Sequence, residues 1–415
     1  MATQTPTSGA DPGHASQARP PFWRDERYLQ IIGQVIAVVA VGSLLYWLIN
    51  NLITNSSAQG ISLDFGVVDQ PTNFSIRDDP GFSDRSPIFP NMLWVGIRNT
   101  AVSAVVGIAI AVVLGTLVGI GRLSTNWLVN RMSMFYVETL RNIPPLVIII
   151  FFGFALFTFG PFPAMNPTSS PWEVKFPGTD RTFLLMSNDR WGIPSFATTE
   201  GNTTLFWIGA LVALAVAAAI WRWRTRVNIE TGLPHHRVLF SFLGLLAVVI
   251  VVYLIAGNPY QISWPGVSEN GRRIDGGIAT NSGYMALTVA LGLYTASHVA
   301  EIVRGSILAV HTGQSEAANA LALSGFQRYR FVVLPQASRI AIPPAINQFL
   351  NLTKNTSLGT AVAYPEVTAL VKTAIGNGKP AVPLLVTAMI IYLGFSLMWS
   401  LILNLVNSRM QLVGR

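Results

Sequence analysis

Long apolar segments alternate with polar loops along most of this chain. Eight segments can each supply the ~20 mainly apolar residues that cross a hydrocarbon core ~30 Å thick, some of them only when tilted. Their approximate limits are 31–53, 97–120, 135–158, 205–221, 239–256, 283–307, 340–364 and 382–407. The seventh is the weakest because it contains Lys354 and several Asn and Thr residues. The pattern predicts an all-α integral membrane protein with about eight transmembrane helices.

The composition supports this prediction. Hydrophobic residues make up 51% of the 415 residues and charged residues only 11%, whereas soluble domains carry about 25% charged residues. The chain has no cysteine, which excludes disulfides, thiolate metal sites and a cysteine nucleophile. His235 and His236 have no matching ligands nearby in sequence, so we expect no metal site. No convergent catalytic set is present, and we expect no enzyme.

The net charge of +8 is spread along the chain rather than collected in one patch. Many basic residues flank apolar segments, and those at residues 221–226 (WRWRTR) alternate with aromatic ones. Such flanks mark the cytoplasmic side of a membrane, so we expect no nucleic-acid partner. Eight spans place both termini in the cytoplasm. Residues 1–21 are predicted to be a disordered cytoplasmic tail, and 54–96, 159–204 and 257–282 extracytoplasmic segments of turns and irregular structure.

Polar residues recur on one face of the sixth span. Tyr294, Ser297 or His298, Glu301 and Arg304 follow one another at three or four residues. Ionisable groups inside a membrane are costly and usually face a bundle interior or a water-filled path. Glu301 and Arg304 can pair on the helix surface, or they lie at the inner boundary, extend to water and merely end the helix. The sequence leaves both interpretations open.

Residues 311–337 predict a helix, a turn and a second helix. Ser315 is the expected cap of the first helix, and Ser324 and Gly325 are expected to break it. Pro335 is expected to mark the end of the second helix. The segment is too short and too polar to cross a membrane. It is therefore predicted to be a cytoplasmic hairpin that docks into a groove of a soluble partner.

This hairpin resembles the coupling motif of ABC importer permeases. Glu316, Ala317, Ala318, Val332, Leu334 and Pro335 stand at the family spacing. Ala322 occupies the position of the family's usual glycine. Because alanine disfavours a positive φ, a sharp turn there is in doubt, and the turn is expected at Ser324–Gly325. The resemblance implies that the ATPase is contacted through Gln314, Glu316, Ala317, Ala318, Ala322, Gly325, Leu334 and Pro335.

The flanking segments narrow the resemblance. Residues 300–305 (AEIVRG), 347–358 (NQFLNLTKNTSL) and 141–145 (RNIPP) resemble permeases of the polar amino-acid type, which are histidine/glutamine permease-like. The match covers most of 93–158 and 283–407. It implies a type I ABC importer (MetI-like) transmembrane domain over 93–407, with an insertion at about 159–282. The long form resembles the general L-amino-acid transporter permeases of proteobacteria.

The resemblance implies a permease subunit in a bacterial inner membrane. Its partners would be a second permease subunit, which the long form implies is a related heterodimer partner, a periplasmic amino-acid-binding protein and a dimer of ABC ATPase subunits. ATP and Mg would lie on those ATPase subunits, and this chain would bind no cofactor itself.

An amino acid is a zwitterion, so its path needs partners for both charges. The candidate path residues are Glu301, Arg304, Asn351, Lys354, Thr356 and Ser357. Lys354 is equally compatible with a structural contact to a carboxylate such as Glu138 or Glu366. The rival function is an ion-coupled secondary transporter, which Glu301, Lys354 and His298 favour. The lack of an internal repeat and the presence of the hairpin oppose it.

Overall fold

The computed structural model describes residues 26–58, 60–76, 82–166, 169–232 and 236–410. The predicted tail, residues 1–21, lies outside the described residues. Contacts divide the chain into two compact units, Met1–Phe65 and Gly66–Arg415. The described part of the first unit is dominated by helix α1 (Glu26–Ala58), whose large apolar side chains are exposed from Leu29 onward. Such a surface suits a hydrocarbon environment.

The second unit is mostly helical with short strands inserted. Its helices are α2 (Leu93–Gly121), α3 (Trp127–Asn142), α4 (Pro145–Ile150), α5 (Thr203–Thr231), α6 (Arg237–Ile255), α7 (Ser282–Leu308), α8 (Thr312–Ala320), α9 (Gly325–Arg328), α10 (Leu334–Asn355), α11 (Val367–Gly376) and α12 (Ala381–Met410). Its strands are β1 (Trp172–Lys175), β2 (Thr182–Met186), β3 (Arg190–Ile193), β4 (Ser195–Thr198), β5 (Tyr260–Ser263), β6 (Gly266–Val267), β7 (Ile274–Asp275) and β8 (Ile278–Asn281).

Six helices within the described ranges are long and apolar enough to cross a membrane: α1, α2, α5, α6, α7 and α12. They coincide with six of the eight predicted spans. The third predicted span, 135–158, is not a straight helix. Instead α3 and the Pro145–Thr158 segment are bent by 104°. The residue before a proline is driven into extended backbone, and Ile143 before Pro144 has ψ 132°, so the bend falls at this point.

The seventh predicted span, 340–364, also differs. Helix α10 begins earlier, at Leu334, and a 3₁₀ segment, Thr356–Val362, replaces its last turns. It does not reach the apolar character of the six spans. Lys354 in its last turn and the internal Pro343 and Pro344 explain why hydropathy alone is weak here.

Helices α2 and α7 form the most closely packed pair. A Cβ on Gly119 would lie 2.6 Å from the Ala300 carbonyl oxygen, and one on Gly115 would lie 2.7 Å from Val299 Cβ. The two glycines, four residues apart, therefore let the backbones approach to a distance that any side chain would prevent. Helix α7 is buried on nearly all sides, because α3, α4 and α10 also pack on it.

Short antiparallel strands occupy parts of 159–204 and 257–282, so the prediction that these segments hold only turns and irregular structure was wrong. One sheet has the order β1-β2-β3-β8, and β4 pairs with β5 and β6 with β7. β-Branched and aromatic residues, as in β2 (TFLLM), favour strands and escaped notice among the surrounding Gly, Pro and Asn. Trp191 of β3 packs edge-on against Phe157 and Phe162.

Helix α7 joins the sheet to the predicted hairpin. Asn281, the last residue of β8, caps α7 by accepting from the Tyr284 amide at 2.7 Å. The helix has 27 residues and so is about 40 Å long. The strands thus lie at its N-terminal end, and residues 311–337 follow its C-terminal end.

Candidate functional site

The first arm of the segment 311–337 is helix α8, and its cap is His311 rather than Ser315. His311 Nδ1 accepts from the Gly313 amide at 3.0 Å. The prediction for Ser315 was wrong because that residue lies within α8, one turn past the start. Sequence reasoning overlooked His311 because histidine is not among the usual capping residues.

The turn after α8 is centred on Ala322. Its φ is +54°, so the expectation that alanine would keep this position out of the left-handed region was wrong. The Leu323 amide donates to the Ala318 carbonyl at 3.1 Å and the Ala322 amide to the Asn319 carbonyl at 2.9 Å. This is the Schellman pattern of helix termination, in which the left-handed position is usually glycine. Two hydrogen bonds thus hold an alanine in a glycine's conformation.

The second arm begins at Ser324 with a capping box. Ser324 Oγ accepts from the Gln327 amide at 3.3 Å, and Gln327 Oε1 accepts from the Ser324 amide at 2.9 Å. Gly325 is the first residue of α9. Helix α9 continues through the π-helical Tyr329–Val333 directly into α10. Pro335 therefore lies inside a helical run that continues into α10, directly after the π-helical segment, and the prediction that it ends the second arm was wrong.

Two side-chain bonds tie the arms together. Gln336 Nε2 donates to Gln314 Oε1 at 3.0 Å, and Arg328 donates to Asn319 Oδ1 at 3.1 Å. Ala318 and Val333 are buried. The structure therefore brings both ends of the predicted motif together as one compact unit.

The outer surface of this unit is both apolar and charged. Leu321, Phe326 and Phe331 are 75, 72 and 63% exposed, and Arg330 lies within 6 Å of the Phe326 and Phe331 ring centroids. Glu316, Ala317, Leu334 and Pro335 are also exposed. Exposed large apolar groups next to charges are typical of a protein-docking surface.

Glu301 lies between two arginines. Arg304 Nε donates to Glu301 Oε1 at 2.9 Å on the same helix, and Arg122, at the end of α2, pairs with Glu301 Oε2. The three side chains are 14 to 31% exposed. The Glu301–Arg304 pairing on the helix surface is thus observed. Sequence reasoning did not single out Arg122, which lies directly after an apolar span.

The polar residues around Lys354 divide into exposed and buried groups. Asn351 and Lys354 are exposed, and Ser357 is half-buried. Thr356 is fully buried, and its hydroxyl donates to the Thr353 carbonyl at 2.7 Å. Among the described residues no carboxylate pairs with Lys354.

Glu366 is not the partner that was considered for Lys354. It is fully buried and caps α11, accepting from the Thr368 amide at 2.9 Å and the Ala369 amide at 2.6 Å. The Tyr392 hydroxyl donates to the same carboxylate at 2.6 Å. The first two bonds cap α11, and the third joins α11 to α12.

The structure does not bring Glu301 and Lys354 together. Leu352 and Thr288 lie at the same level of the helix bundle, since atoms of both would be within 4 Å of a Cβ added to Gly107. Glu301 follows Thr288 by 13 residues, or about 20 Å along α7. One amino-acid backbone cannot contact groups at both levels at once.

A cavity of about 530 Å³ lies at the other end of the core, near the N-terminus of α7. Arg98, Asn99, Tyr284 and Tyr364 contribute to its lining. Asn99 Nδ2 donates to the Pro365 carbonyl at 2.8 Å, and the Tyr364 hydroxyl donates to the Asn99 carbonyl at 3.0 Å. Sequence reasoning did not single out this site because its residues come from separate segments that only the fold assembles.

Comparisons with known proteins agree with this architecture. Residues 107–412 match the family model described as "Binding-protein-dependent transport system inner membrane component". The general L-amino acid transport system permease protein AapQ of Rhizobium johnstonii is 34% identical over 94% of each chain. The putative amino-acid ABC transporter permease protein YhdX of Escherichia coli is 32% identical over 92% of this chain and 94% of its own.

One solved structure is also similar. It is titled "Crystal structure of an amino acid ABC transporter with histidines", and the match covers 77% of this chain and 94% of that chain at 15% identity with a TM-score of 0.43. The family model alone spans well over half of the chain. The chain therefore belongs to the family of binding-protein-dependent transport system inner membrane components.

Proposed function

We propose that this chain is the permease subunit of an ATP-driven amino-acid importer and that residues 311–337, the coupling hairpin, transmit the ATPase motion. Family membership supports the transport role. AapQ and YhdX, which are similar over more than nine-tenths of the chain, are named as amino-acid permeases. Importers of this family work with an ATPase and a substrate-binding protein. ATP and Mg would be held by the partner ATPase subunits.

The exposed surface of the coupling hairpin carries this proposal. A rigid helical unit with projecting apolar groups, Leu321, Phe326 and Phe331, would bury them in a groove of the ATPase. The ties between Gln336 and Gln314 and between Arg328 and Asn319 would make the hairpin move as one body. Because α9 runs into α10 without a break, that motion would pass directly to the transmembrane helices.

Residues Gln314, Glu316, Ala317, Ala318, Ala322, Gly325, Leu334 and Pro335 are proposed to act in this coupling in two ways. Glu316, which is exposed on α8, would meet a positive group of the ATPase. The remaining residues would shape the hairpin or contribute apolar contact.

The substrate path is proposed to run between this subunit and a second, related permease. The cavity beside Arg98 and Asn99 would receive the amino acid, since a guanidinium suits a carboxylate. Asn351, Lys354, Thr356 and Ser357 lie at a similar level of α7 and are proposed to continue the path. Glu301 and Arg304 lie about 20 Å further along and, because Glu301 already has two arginine partners, are proposed to close the far end of the path.

Both termini are proposed to be cytoplasmic. Helix α10 has 22 residues, about 33 Å, and is long enough to cross despite its polar residues, which neighbouring protein can shield. Counting α10 and the bent α3–α4 pair gives eight crossings. A C-terminal fluorescent fusion that folds only in the cytoplasm should fluoresce, and a dark but inserted fusion would contradict this topology.

The test of coupling is ATP-dependent uptake of labelled amino acids by vesicles that hold the complete complex. Glu316→Lys should lower uptake and ATPase co-purification by about tenfold or more, since a central interface charge is reversed. The matched control is Glu269→Lys, which reverses an exposed glutamate between β6 and β7. It should leave both quantities unchanged.

Two outcomes would contradict the proposal. One is normal coupling in the Glu316→Lys complex. The other is uptake that persists without an ATPase and follows a proton or sodium gradient, which would revive the ion-coupled alternative. Family membership does not favour that alternative. Co-purification of differently tagged copies would separate a homodimer from the proposed heterodimer, because two copies of this chain should not be recovered together.

A further inference from the structure

The inserted helices α5 and α6 form a hairpin that is largely separate from the rest of the described unit. They pack along each other, and neither makes comparably extensive contact with another described element. Gly209 lies against Val252 and Gly244 against Ile220. Only 6% of the most apolar stretch of each helix is buried. Their outer faces are therefore available to lipid.

Two crossed cation–π pairs join the helices near their connected ends. Arg224 of α5 lies over the Phe240 ring of α6 at 3.7 Å from Cζ to the centroid. Arg237 of α6 lies over the Trp221 ring of α5 at 5.0 Å. On α5, Arg224 is about one turn closer to the helix connection than Trp221. On α6, Arg237 is likewise closer to it than Phe240. Each guanidinium group thus lies over a ring of the opposite helix.

Arginines outnumber carboxylates around the connection between α5 and α6. Residues 221–240 contain Arg222, Arg224, Arg226 and Arg237 but only one carboxylate, Glu230. No carboxylate of the described ranges lies within 4.0 Å of any of the four guanidinium groups. Arg224 Nε is buried and has no hydrogen-bond partner among the described residues. Its terminal nitrogens are the donors that remain for a ligand.

We propose that Arg224 and Arg237, the arginine cluster, form a binding site for the phosphate group of an anionic lipid. A planar guanidinium binds phosphate through two parallel hydrogen bonds, and contact with the Phe240 and Trp221 rings restrains two guanidinium groups in advance. Aromatic rings occupy the headgroup level of a bilayer. A lipid bound there would place its phosphate among the arginines and its acyl chains along the exposed apolar faces of α5 and α6.

A lipid is favoured over a free phosphate by what adjoins the cluster. Leu243, Leu246, Val212 and Leu214 are exposed apolar residues on the same two helices, further from the connection. A soluble anion would leave this surface uncovered, whereas acyl chains would cover it. Basic sites between transmembrane helices are known to hold lipid headgroups in this way.

The experiment measures the apparent dissociation constant for phosphatidylglycerol titrated into the purified full-length protein in detergent. Phosphatidylcholine and inorganic phosphate are the alternative titrants. Removing two arginines in Arg224→Gln/Arg237→Gln should weaken phosphatidylglycerol binding by about tenfold or more. The matched control, Arg272→Gln/Arg273→Gln, removes two exposed arginines between β6 and β7 and should leave the affinity unchanged.

A second variant separates geometry from charge and serves if the first does not fold. Arg224→Lys/Arg237→Lys keeps both charges but loses the planar donors, and it should weaken binding by about fivefold. Wild-type affinity in this variant would overturn a built site. So would equal affinity for phosphatidylcholine, stabilisation by inorganic phosphate alone, or binding that 1 M salt (a Debye length of about 3 Å) does not weaken.

Discussion

Ala322 shows how one residue can hold a conformation that its side chain disfavours. The left-handed region costs an L-residue roughly 1–2 kcal/mol, yet Ala322 has φ +54°. The Schellman bonds to Ala318 and Asn319, together with the ties between the arms, hold the turn in place. Because such strain persists only where the surroundings enforce it, we infer that the shape of this turn matters for the hairpin.

Ala322→Gly should therefore stabilise the hairpin. Relief of the left-handed strain exceeds the added freedom of glycine in the unfolded chain, leaving a gain of roughly 0.5–1 kcal/mol. Hydrogen exchange at the Leu323 amide should slow by about two- to fivefold. The control is Ala320→Gly in the last turn of α8, which should speed the same exchange because glycine is a poor helix former. Slower exchange in both variants would exclude this explanation.

At the scale of elements, the apolar pattern predicted the long helices and missed what depends on single backbone positions. Hydropathy alone was enough to predict helices such as the one at 283–307. The 104° bend at Ile143–Pro144 could be suspected from the prolines but not measured, because a kinked helix has the same hydropathy as a straight one. The strands were not predicted for another reason. Four-residue strands such as β3 contain too few positions to show an alternating pattern.

The α2–α7 pair gives a test at this scale. Gly119→Ala should destabilise the permease by about 1–3 kcal/mol, because the new methyl group would lie 2.6 Å from the Ala300 carbonyl oxygen and the helices must separate. Thermal unfolding of the purified protein should show a melting temperature several degrees lower. Gly394→Ala is the control: nothing lies within 4 Å of its added Cβ, so it should be neutral or stabilising. Equal effects of the two substitutions would contradict close α2–α7 packing.

For the whole molecule, sites formed by contiguous residues were predictable from the sequence, and sites formed by distant segments were not. The coupling hairpin could be located because its residues are contiguous and their spacing is characteristic. The cavity beside Asn99 could not, since its lining is drawn from α2, β8, α7 and the segment around Tyr364. The Arg122–Glu301 pair joins residues 179 apart in sequence, and the residues around Arg122 do not indicate its partner. Such contacts follow from helix packing, which hydropathy does not encode.

The two ends of the α5–α6 hairpin, which are far apart in sequence, lie next to each other in the fold. The Asn202 amide donates to the Ala256 carbonyl at 2.8 Å, and β4 pairs with β5 just outside this point. The two ends of the α5–α6 hairpin therefore meet. A short glycine link can replace residues 203–255 without moving the strands, and removing two crossings keeps the sidedness of every later helix.

A variant with this replacement should accumulate in the membrane to within about twofold of the wild-type level, because the α2–α7 core loses little contact. Membrane fractions probed through a C-terminal tag would measure it. Removal of residues 127–158 is the contrasting control. It takes away α3 and α4, which pack directly on α7, together with one crossing, and should leave almost no inserted protein. If loss of 203–255 proved equally damaging, α5 and α6 would have to be part of the folding core rather than an appended hairpin.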